Sequence, residues 1–278
     1  MALVIQTNVA SLQAQKNLSS SQANLQTSFN RLSSGNRINT AKDDAAGLAI
    51  SESMKSQIRS FSVAERNAGD AISMAQTAEG ALGELTNIVG RMRELAVQAS
   101  NGALQSSDRA FIQTEFSNLQ AETKRIMTST KFNGKQLITS AVRTDDFQVG
   151  INNTSDDRIT MTFGGIDLKT LTTSGAGGTK LGSGPGNARG AIDTIDKALA
   201  NLSTARARFG AAINRLETTT SNIQTVRLNL SAANSRIRDV DVADETASLS
   251  RQQVLTQAGT SVLSQANSSP QAALSLIR

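Results

Sequence analysis

The residue types that most often carry catalysis or bind metals are missing from this chain. Its 278 residues include no histidine and no cysteine. Histidine is the commonest general base and metal ligand at neutral pH, and cysteine supplies thiolate nucleophiles, disulfides and zinc ligands. Most hydrolytic, redox and zinc chemistry is therefore excluded. We predict a protein that is not an enzyme and that uses no cofactor or metal.

One glycine-rich run imitates a phosphate-binding loop. Gly182, Gly184 and Gly186 alternate with other residues, as in some nucleotide-binding motifs. However, the run lacks the strand-to-helix setting and the Gly-Lys-Ser/Thr ending that such loops need. We interpret residues 174–186 as a flexible linker.

The charge and composition also restrict the partners. The net charge is +5, from 28 basic and 23 acidic residues that are interspersed, and the chain has 8 Phe but no Trp or Tyr. Nucleic-acid binding is typical of clustered basic residues with aromatic stacking partners, so we predict no nucleic-acid partner. No segment approaches the roughly 18 apolar residues of a membrane span, and we predict no membrane insertion.

Apolar residues recur at helical spacing along most of the chain. Only 2 prolines are present, so little interrupts long helices. We predict helices over about residues 44–100, 107–127 and 187–235, the last with alternating steps of three and four. Its predicted buried face comprises Ile192, Ile195, Leu199, Leu202, Phe209, Ile213, Leu216, Ile223 and Leu230, interrupted by Arg206, Thr220 and Arg227. So long a helix needs a partner, which residues 44–100 provide.

Both ends of the chain carry weaker helical faces. Near the N-terminus the apolar positions keep a seven-residue rhythm, but Gln15 and Gln22 fall between them. The predicted terminal seam residues are Leu18, Leu25, Phe29, Leu32, Leu255, Ala258, Val262, Leu276 and Ile277. Burying so little apolar surface does not offset the backbone entropy lost in ordering the helices. We therefore predict terminal helices that fold only when other copies of the chain add surface.

Local signals mark the ends of these elements. Ser34 followed by Gly35 is typical of a helix C-terminus with a left-handed cap. Thr40 and Asp43 have the spacing of a capping box, which predicts that the next helix starts there. Between residues 146 and 171 the pattern changes to alternation. The alternating residues are Phe147, Val149 and Ile151, then Ile159, Met161 and Phe163. They predict a β-hairpin with a polar tip.

Together these patterns define the fold class. We predict a mainly α protein, an elongated antiparallel helical bundle or coiled coil with a small β-hairpin region, in which the two termini pair as a helical coiled coil.

Two segments carry a family resemblance. Residues 31–47 read RLSSGNRINTAKDDAAG, and residues 257–267 read QAGTSVLSQAN. Both closely resemble the terminal regions of bacterial flagellin. The resemblance covers about residues 1–140 and 187–278, which leaves out the hairpin and the glycine-rich linker. This chain is similar to a short flagellin without outer variable domains.

The resemblance implies a domain plan and a function. Residues 1–42 and 236–278 would form the two halves of an inner core domain, and residues 43–180 and 181–235 an outer core domain. The chain would be a structural subunit that polymerises into the helical flagellar filament for motility. It would be secreted through the flagellar type III export apparatus, with an uncleaved N-terminus and an export chaperone on the C-terminal segment. Hook-associated and cap proteins would be further partners.

The segment from Arg91 to Gln98 resembles a flagellin motif that packs between subunits and is bound by Toll-like receptor 5. The residues implied to face other subunits or the receptor are Arg91, Arg93, Glu94, Leu95 and Glu115. The pairs at Arg91 to Arg93 and Arg206 to Arg208 are also predicted intersubunit contacts. A simpler interpretation is that Leu95 packs in the helical core and that Arg91 and Glu115 form an ordinary solvated pair.

Two alternatives stay open. A hook-filament junction protein shares the terminal helical plan but remains at a few copies in one layer. A generic coiled-coil adaptor would form a discrete dimer or tetramer, whereas an interface that does not close on itself gives a filament.

Overall fold

The computed structural model describes residues 7–172, 179–182 and 184–275, with side chains up to residue 268. The described residues form six helices and four short strands. The helices are α1 (Val9–Ser34), α2 (Ala45–Ala99), α3 (Ser106–Ser129), α4 (Lys169–Thr172), α5 (Pro185–Arg238) and α6 (Val242–Ser275). The strands are β1 (Lys131–Phe132), β2 (Lys135–Gln136), β3 (Arg143–Gln148) and β4 (Arg158–Phe163). The predicted fold class, mainly helical with a small β region, is confirmed.

The chain divides into two compact units. Unit 1 comprises residues 1–58 and 228–278, and unit 2 comprises residues 59–227. Among the described residues, no helix has both the length and the apolar character needed to cross a membrane.

Unit 2 contains the hydrophobic core. The predicted buried face of α5 contributes Ile195, Leu202, Phe209, Leu216 and Ile223, each at most 4% exposed. The facing part of α2 contributes Met74, Leu82, Leu85, Val89, Met92 and Leu95, with several alanines between them. Alanine allows the two helices to approach closely along the core.

Ion pairs between α2 and α5 show the relative direction of the two helices. Arg93 pairs with Asp196 at 2.7 Å, Arg206 with Glu79 at 2.7 Å, and Arg227 with Glu65 at 2.5 Å. Position numbers fall along α2 as they rise along α5, so the helices are antiparallel within unit 2. Arg206 and Arg227, which interrupt the apolar pattern of α5, reach across to glutamates of α2. Arginine tolerates this position because its stem packs while its charged end reaches the surface.

Two antiparallel hairpins follow α3. Strands β1 and β2 are joined through Asn133 and Gly134, both with positive φ, as a tight hairpin turn requires. Strands β3 and β4 pair from Arg143 opposite Phe163 to Gln148 opposite Arg158. The predicted hairpin is therefore confirmed, but its first strand starts at residue 143 and ends before Val149 and Ile151, which belong to the loop.

The predicted linker is shorter than expected. Helix α5 begins at Pro185, where proline suits the first turn because its N–H would have no helical partner. Leu181 is fully buried, and its N–H donates to the Gln113 side chain at 2.7 Å. Gln120 donates to the Thr179 carbonyl at 2.9 Å. Residues 179–182 are thus held against α3 and are not a linker, whereas residues 173–178 and 183 lie outside the described part.

Unit 1 is built from α1 and α6, together with residues 45–58 of α2 and 228–238 of α5. Asn8 donates to the Ala266 carbonyl at 2.8 Å, and Arg31 pairs with Glu245 at 3.6 Å. The start of α1 therefore lies beside the end of α6, and the two helices are antiparallel. This confirms the predicted pairing of the terminal helices.

A short paired joint connects the terminal helices to the rest of unit 1. Gly35 ends α1 in the left-handed conformation, with φ of 70°. The next residue, Asn36, forms an antiparallel bridge with Asp239, in the break between α5 and α6. On either side, the Arg37 N–H donates to the Arg238 carbonyl at 2.6 Å and the Val240 N–H to the Gly35 carbonyl at 3.1 Å. We call these residues, 35–37 and 238–240, the paired joint.

The predicted start of α2 was placed too early. Asp43 accepts hydrogen bonds from the N–H groups of Asn39 and Thr40, so it stabilises the preceding turn. These bonds hold the pKa of the Asp43 carboxyl below its ordinary value, and those from Thr40 contribute most. The residue that caps α2 is Asp44, whose side chain accepts from the Gly47 N–H at 2.8 Å.

Candidate assembly interface

Helix α1 turns a row of small and apolar residues toward α6. The row comprises Ser11, Ala14, Leu18, Ser21, Leu25, Ser28 and Leu32, at alternating steps of three and four. We call it the inner face of α1. Leu18, Leu25 and Leu32 lie on this face, and the residues between them on it are Ser21 and Ser28. Gln15 and Gln22 are exposed, so their assignment to this face was wrong.

Phe29 lies outside the inner face and is 58% exposed. The sequence prediction grouped it with Leu25 and Leu32, because steps of four and three suit a helical face. In the structure Ser28 takes the inner position instead and is 4% exposed. The side chain of Phe29 is consequently more than half exposed.

The residues of helix α6 that we predicted to face α1 lie on its exposed side. The helix turns another row of residues toward α1. Its inner, partly buried positions are Glu245, Leu249, Gln252, Thr256, Gly259, Leu263 and Ala266. Leu255 is 46% exposed, Val262 is 58% exposed, and Ala258 is exposed as well. Leu255, Ala258 and Val262 therefore do not form the contact with α1. The remaining predicted seam residues, Leu276 and Ile277, lie outside the described residues.

Gly259 allows α1 and α6 to approach closely. A Cβ atom at this position would lie 3.2 Å from Leu18 Cδ1, which is closer than most such contacts. Leucine on α1 therefore fits against the bare backbone of α6. The approach brings the helices together without burying a large apolar residue from α6.

Unit 1 exposes more large apolar side chains than it buries. Among its described residues, only Ala14 and Ile38 are buried hydrophobics. Its exposed large hydrophobics are Val9, Leu12, Phe29, Ile50, Leu228, Val242, Val254, Leu255 and Val262. Contiguous exposed apolar patches mark interaction sites, and we take these side chains as candidates for an interface. We call these nine residues the outer apolar surface of unit 1.

The charged residues predicted to face partners cluster on α2 and α3. Arg91 Nη1 lies 2.8 Å from a Glu94 carboxylate oxygen, and its Nη2 lies 2.9 Å from Glu115. These hydrogen bonds, that to Glu94 first, raise the pKa of the Arg91 guanidinium. Arg93 is engaged by Asp196, as described above. The four charged side chains Arg91, Arg93, Glu94 and Glu115 are all about half exposed or more.

Leu95 does not belong to this charged surface. It is 2% exposed and packs in the core of unit 2. The resemblance placed it with Arg91 on a partner-facing surface, but its side chain is buried whereas that of Arg91 is about half exposed. The simpler interpretation of Leu95 as a core residue is the one that its burial supports.

Sequence reasoning missed one buried charge, Arg109. It is 5% exposed, and it donates to the Ala99 carbonyl at 3.1 Å and to the Asn101 carbonyl at 2.7 Å. It thereby satisfies carbonyl groups at the C-terminus of α2, which lack helical partners. A signal was present in the sequence, because a cation in the first turn of α3 is disfavoured by the helix dipole unless it has a partner elsewhere.

The acidic side chains of the described residues are not clustered as a metal site would need. They include no group of three or more acidic side chains placed to share an ion. Gly182 has a φ of 65°, and a Cβ there would clash with the Asn187 side chain. The glycine of the loop-like motif is thus explained by the turn that precedes α5.

The Arg93–Asp196 pair should make the stability of the fold depend on pH. The hydrogen bond from Arg93 holds the pKa of the Asp196 carboxyl below its ordinary value. A depressed pKa in the folded state stabilises the fold above the unfolded-state pKa of about 4, and this contribution is lost as the pH falls through the folded-state value. Replacing Asp196 by Asn should therefore lower stability more at pH 7 than at pH 2.5.

Urea unfolding followed at both pH values measures this difference. Asp193→Asn is the matched control, since Asp193 lies on the same helix and has no ion-pair partner among the described residues. A destabilisation by Asp196→Asn that is equal at both pH values would contradict the prediction.

Comparison with known proteins identifies the family to which this chain belongs. Residues 5–142 match the sequence model of the bacterial flagellin N-terminal helical region, and residues 192–277 match that of the bacterial flagellin C-terminal helical region. A flagellin from Halalkalibacterium halodurans is 44% identical over 99% of this chain and 100% of its own length. A flagellar filament 33 kDa core protein from Treponema phagedenis is 39% identical over 99% of this chain and 100% of its own length.

A solved structure shares the fold. A Vibrio parahaemolyticus protein described as flagellar hook-associated superposes with a TM-score of 0.58 over 71% of this chain and 100% of that chain. At 13% identity, this likeness concerns the fold alone. The sequence matches, by contrast, extend over nearly the whole length to flagellins and a filament core protein. On these matches, the chain belongs to the bacterial flagellin family.

Proposed function

We propose that this chain polymerises with copies of itself into the helical flagellar filament, and that α1 and α6 complete their folding only on assembly. The observation that carries the proposal is the outer apolar surface of unit 1. Its inner seam holds mainly small or polar residues with a few leucines, while nine large apolar side chains are exposed. Neighbouring subunits that cover these groups would supply the apolar burial that the paired helices lack.

The domain plan is part of the same proposal. Residues 1–42 and 236–278 form the inner core, where the outer apolar surfaces of many subunits meet. Residues 43–180 and 181–235 form the outer core, which has its own buried centre and folds without neighbours. The contrast in burial between unit 1 and unit 2 supports a division into two cores, and compact unit 1 extends beyond the proposed inner core by residues 43–58 and 228–235.

Export and its partners follow from the weak terminal helices. We propose that the subunit leaves the cell through the flagellar type III apparatus with its ends unfolded. An export chaperone binds the C-terminal segment, where Val254, Leu255 and Val262 offer an apolar helix face. Hook-associated and cap proteins contact the growing filament, whose location is extracellular.

Receptor binding is a further proposal for the charged surface. Arg91, Arg93, Glu94 and Glu115 are exposed; Arg91 pairs with Glu94 and Glu115, and Arg93 pairs with Asp196. We propose that these four residues form the contact with Toll-like receptor 5. Leu95 is left out because it is buried.

Seeded polymerisation of the purified protein tests the main proposal. We expect long filaments, with a gain in helical circular dichroism as α1 and α6 become ordered. Filaments are recorded by electron microscopy, and the dichroism is measured before and after growth. A fully helical protein that remains a small closed oligomer would contradict assembly-coupled folding and favour an adaptor.

A further inference from the structure

The arginines of unit 2 differ in whether the subunit itself satisfies them. Arg91, Arg93, Arg206 and Arg227 each bind a carboxylate of the same chain. Arg208 and Arg215, seven residues apart on α5, are exposed and have no acidic partner in the described part of unit 2. The predicted intersubunit contacts at Arg91, Arg93 and Arg206 are therefore already engaged, whereas Arg208 and Arg215 are available.

These two arginines line a groove between β4 and α5. One hollow, of about 240 Å³, lies beside Arg208, Thr160 and Thr162. A second, of about 580 Å³, lies beside Arg158, Thr218 and Thr219. Arg215 borders both hollows, so they lie next to each other along α5, with hydroxyl groups on their walls, and we call the two together the groove.

The groove is cationic along its length. Arg208, Arg215 and Arg158 follow one another, and from position 208 to position 218 the helix rises by about 15 Å. Arg158 donates to the Asn153 side chain at 2.8 Å, which leaves its charge uncompensated. One acid, Asp156, also borders the second hollow. Three cations against one anion leave an excess of positive charge for an acidic partner.

Helix α2 carries a matching acidic row on its exposed side. The row comprises Asp70, Ser73, Thr77, Gly80 and Glu84, all exposed and at steps of three and four. Asp70 and Glu84 have no ion-pair partner among the described residues. They are about 21 Å apart along the helix, and only small residues lie between them. Long arginine side chains can therefore reach both acids across a shallow surface.

We infer that the groove between β4 and α5 receives the acidic row of α2 from a second copy of this chain. Arg208, Arg215 and Arg158 would meet Asp70 and Glu84, and the small residues between the acids would allow close approach. The inference rests on the proposed filament function and specifies one contact between its subunits. The contact joins two different surfaces of the chain, as the heterologous contacts of an open filament do.

A charge swap tests this contact. The groove variant carries Arg208→Glu with Arg215→Glu, the row variant carries Asp70→Arg with Glu84→Arg, and a third protein combines all four changes. Each charge reversal alone should slow seeded filament elongation by about tenfold or more, because like charges then face each other. The combined variant should recover most of the wild-type elongation rate. Elongation is measured at about 0.1 M salt, where charges within about 10 Å still interact.

The controls distinguish a wrong assignment of the contact from unfolding of a variant and from a wrong assignment of the filament function. Arg189→Glu with Lys197→Glu changes two exposed cations of α5 that do not line the groove, and it should elongate like the wild type. Thermal melting shows that unit 2 of every variant remains folded. The inference is overturned if the groove variant elongates at the wild-type rate or if the combined variant shows no recovery. In either case, growth of the wild-type protein still supports the filament function. Wild-type protein that does not elongate on seeds would overturn the filament function itself, and the inference with it.

Discussion

Replacing Phe29, Leu255 and Val262 together by serine is expected to raise the critical concentration for polymerisation by at least about thirtyfold. Each side chain is about half exposed in the subunit, and fully burying such a residue contributes about 1.5–3 kcal/mol. Covering the exposed halves of all three should contribute roughly 2–5 kcal/mol per subunit. About 1.4 kcal/mol corresponds to a factor of ten in an equilibrium constant. The loss should therefore appear in assembly, with the melting of unit 2 unchanged.

The measurement is the concentration of free subunit that remains after seeded growth reaches its plateau. The matched control replaces three exposed glutamines of the same helices, Gln22, Gln257 and Gln265, by serine. This control should polymerise like the wild type, since it removes no apolar surface. If the apolar triple variant grows at the wild-type concentration, the outer apolar surface is not an assembly contact.

Replacing Phe163 by Ala should destabilise unit 2 by about 3–5 kcal/mol, the usual cost of removing a buried Phe ring. Phe163 ends β4 and is fully buried. Its ring centroid lies 5.4 Å from that of Phe209 on α5, and the Arg143 guanidinium lies 5.5 Å above it. The ring therefore joins the hairpin to the long helix, and its loss leaves a cavity that neither element can close.

Urea unfolding followed by circular dichroism measures this loss. Phe111→Ala is the matched control, because Phe111 lies on α3 but is 77% exposed. A surface substitution of this kind should change stability by about 0.5 kcal/mol or less. A loss below about 1 kcal/mol for Phe163→Ala would mean that the hairpin is held by other contacts.

Helical periodicity predicted the helices of unit 2 well because one apolar face dominates there. Residues such as Leu202, Phe209 and Leu216 have a single large partner surface, so their spacing and their burial agree. Breaks in the pattern were also informative. Arg206 and Arg227 interrupt the apolar row but reach glutamates of α2, a relation that sequence spacing alone does not reveal.

The faces of α6 could not be predicted in the same way. Leu255 and Val262 repeat every seven residues, and so do Thr256 and Leu263. Periodicity finds both rows, but it does not say which one contacts the same chain and which one contacts another. The inner row is the one that contains Gly259, where the backbone of α6 approaches Leu18 closely.

The charged contacts needed three-dimensional information. The Arg91–Glu115 pair joins positions 24 residues apart, and the Arg93–Asp196 pair joins positions 103 residues apart. The sequence suggested that Arg91 and Glu115 form a solvated pair, but nothing in it connected Arg93 to Asp196. Distant pairs of this kind depend on how the helices align, and no local pattern fixes that alignment.

The paired joint has a consequence for insertions and deletions. Asn36 is bridged to Asp239 at one end of the α1–α6 pair, and Ser11 is hydrogen-bonded to Asn267 at 2.7 Å near the other end. The two segments between these links are therefore fixed at both ends against each other. Lengthening α1 alone would break one of the links, whereas adding seven residues to each helix would preserve both the links and the facing rows. The two ends of the gene are thus expected to change length together.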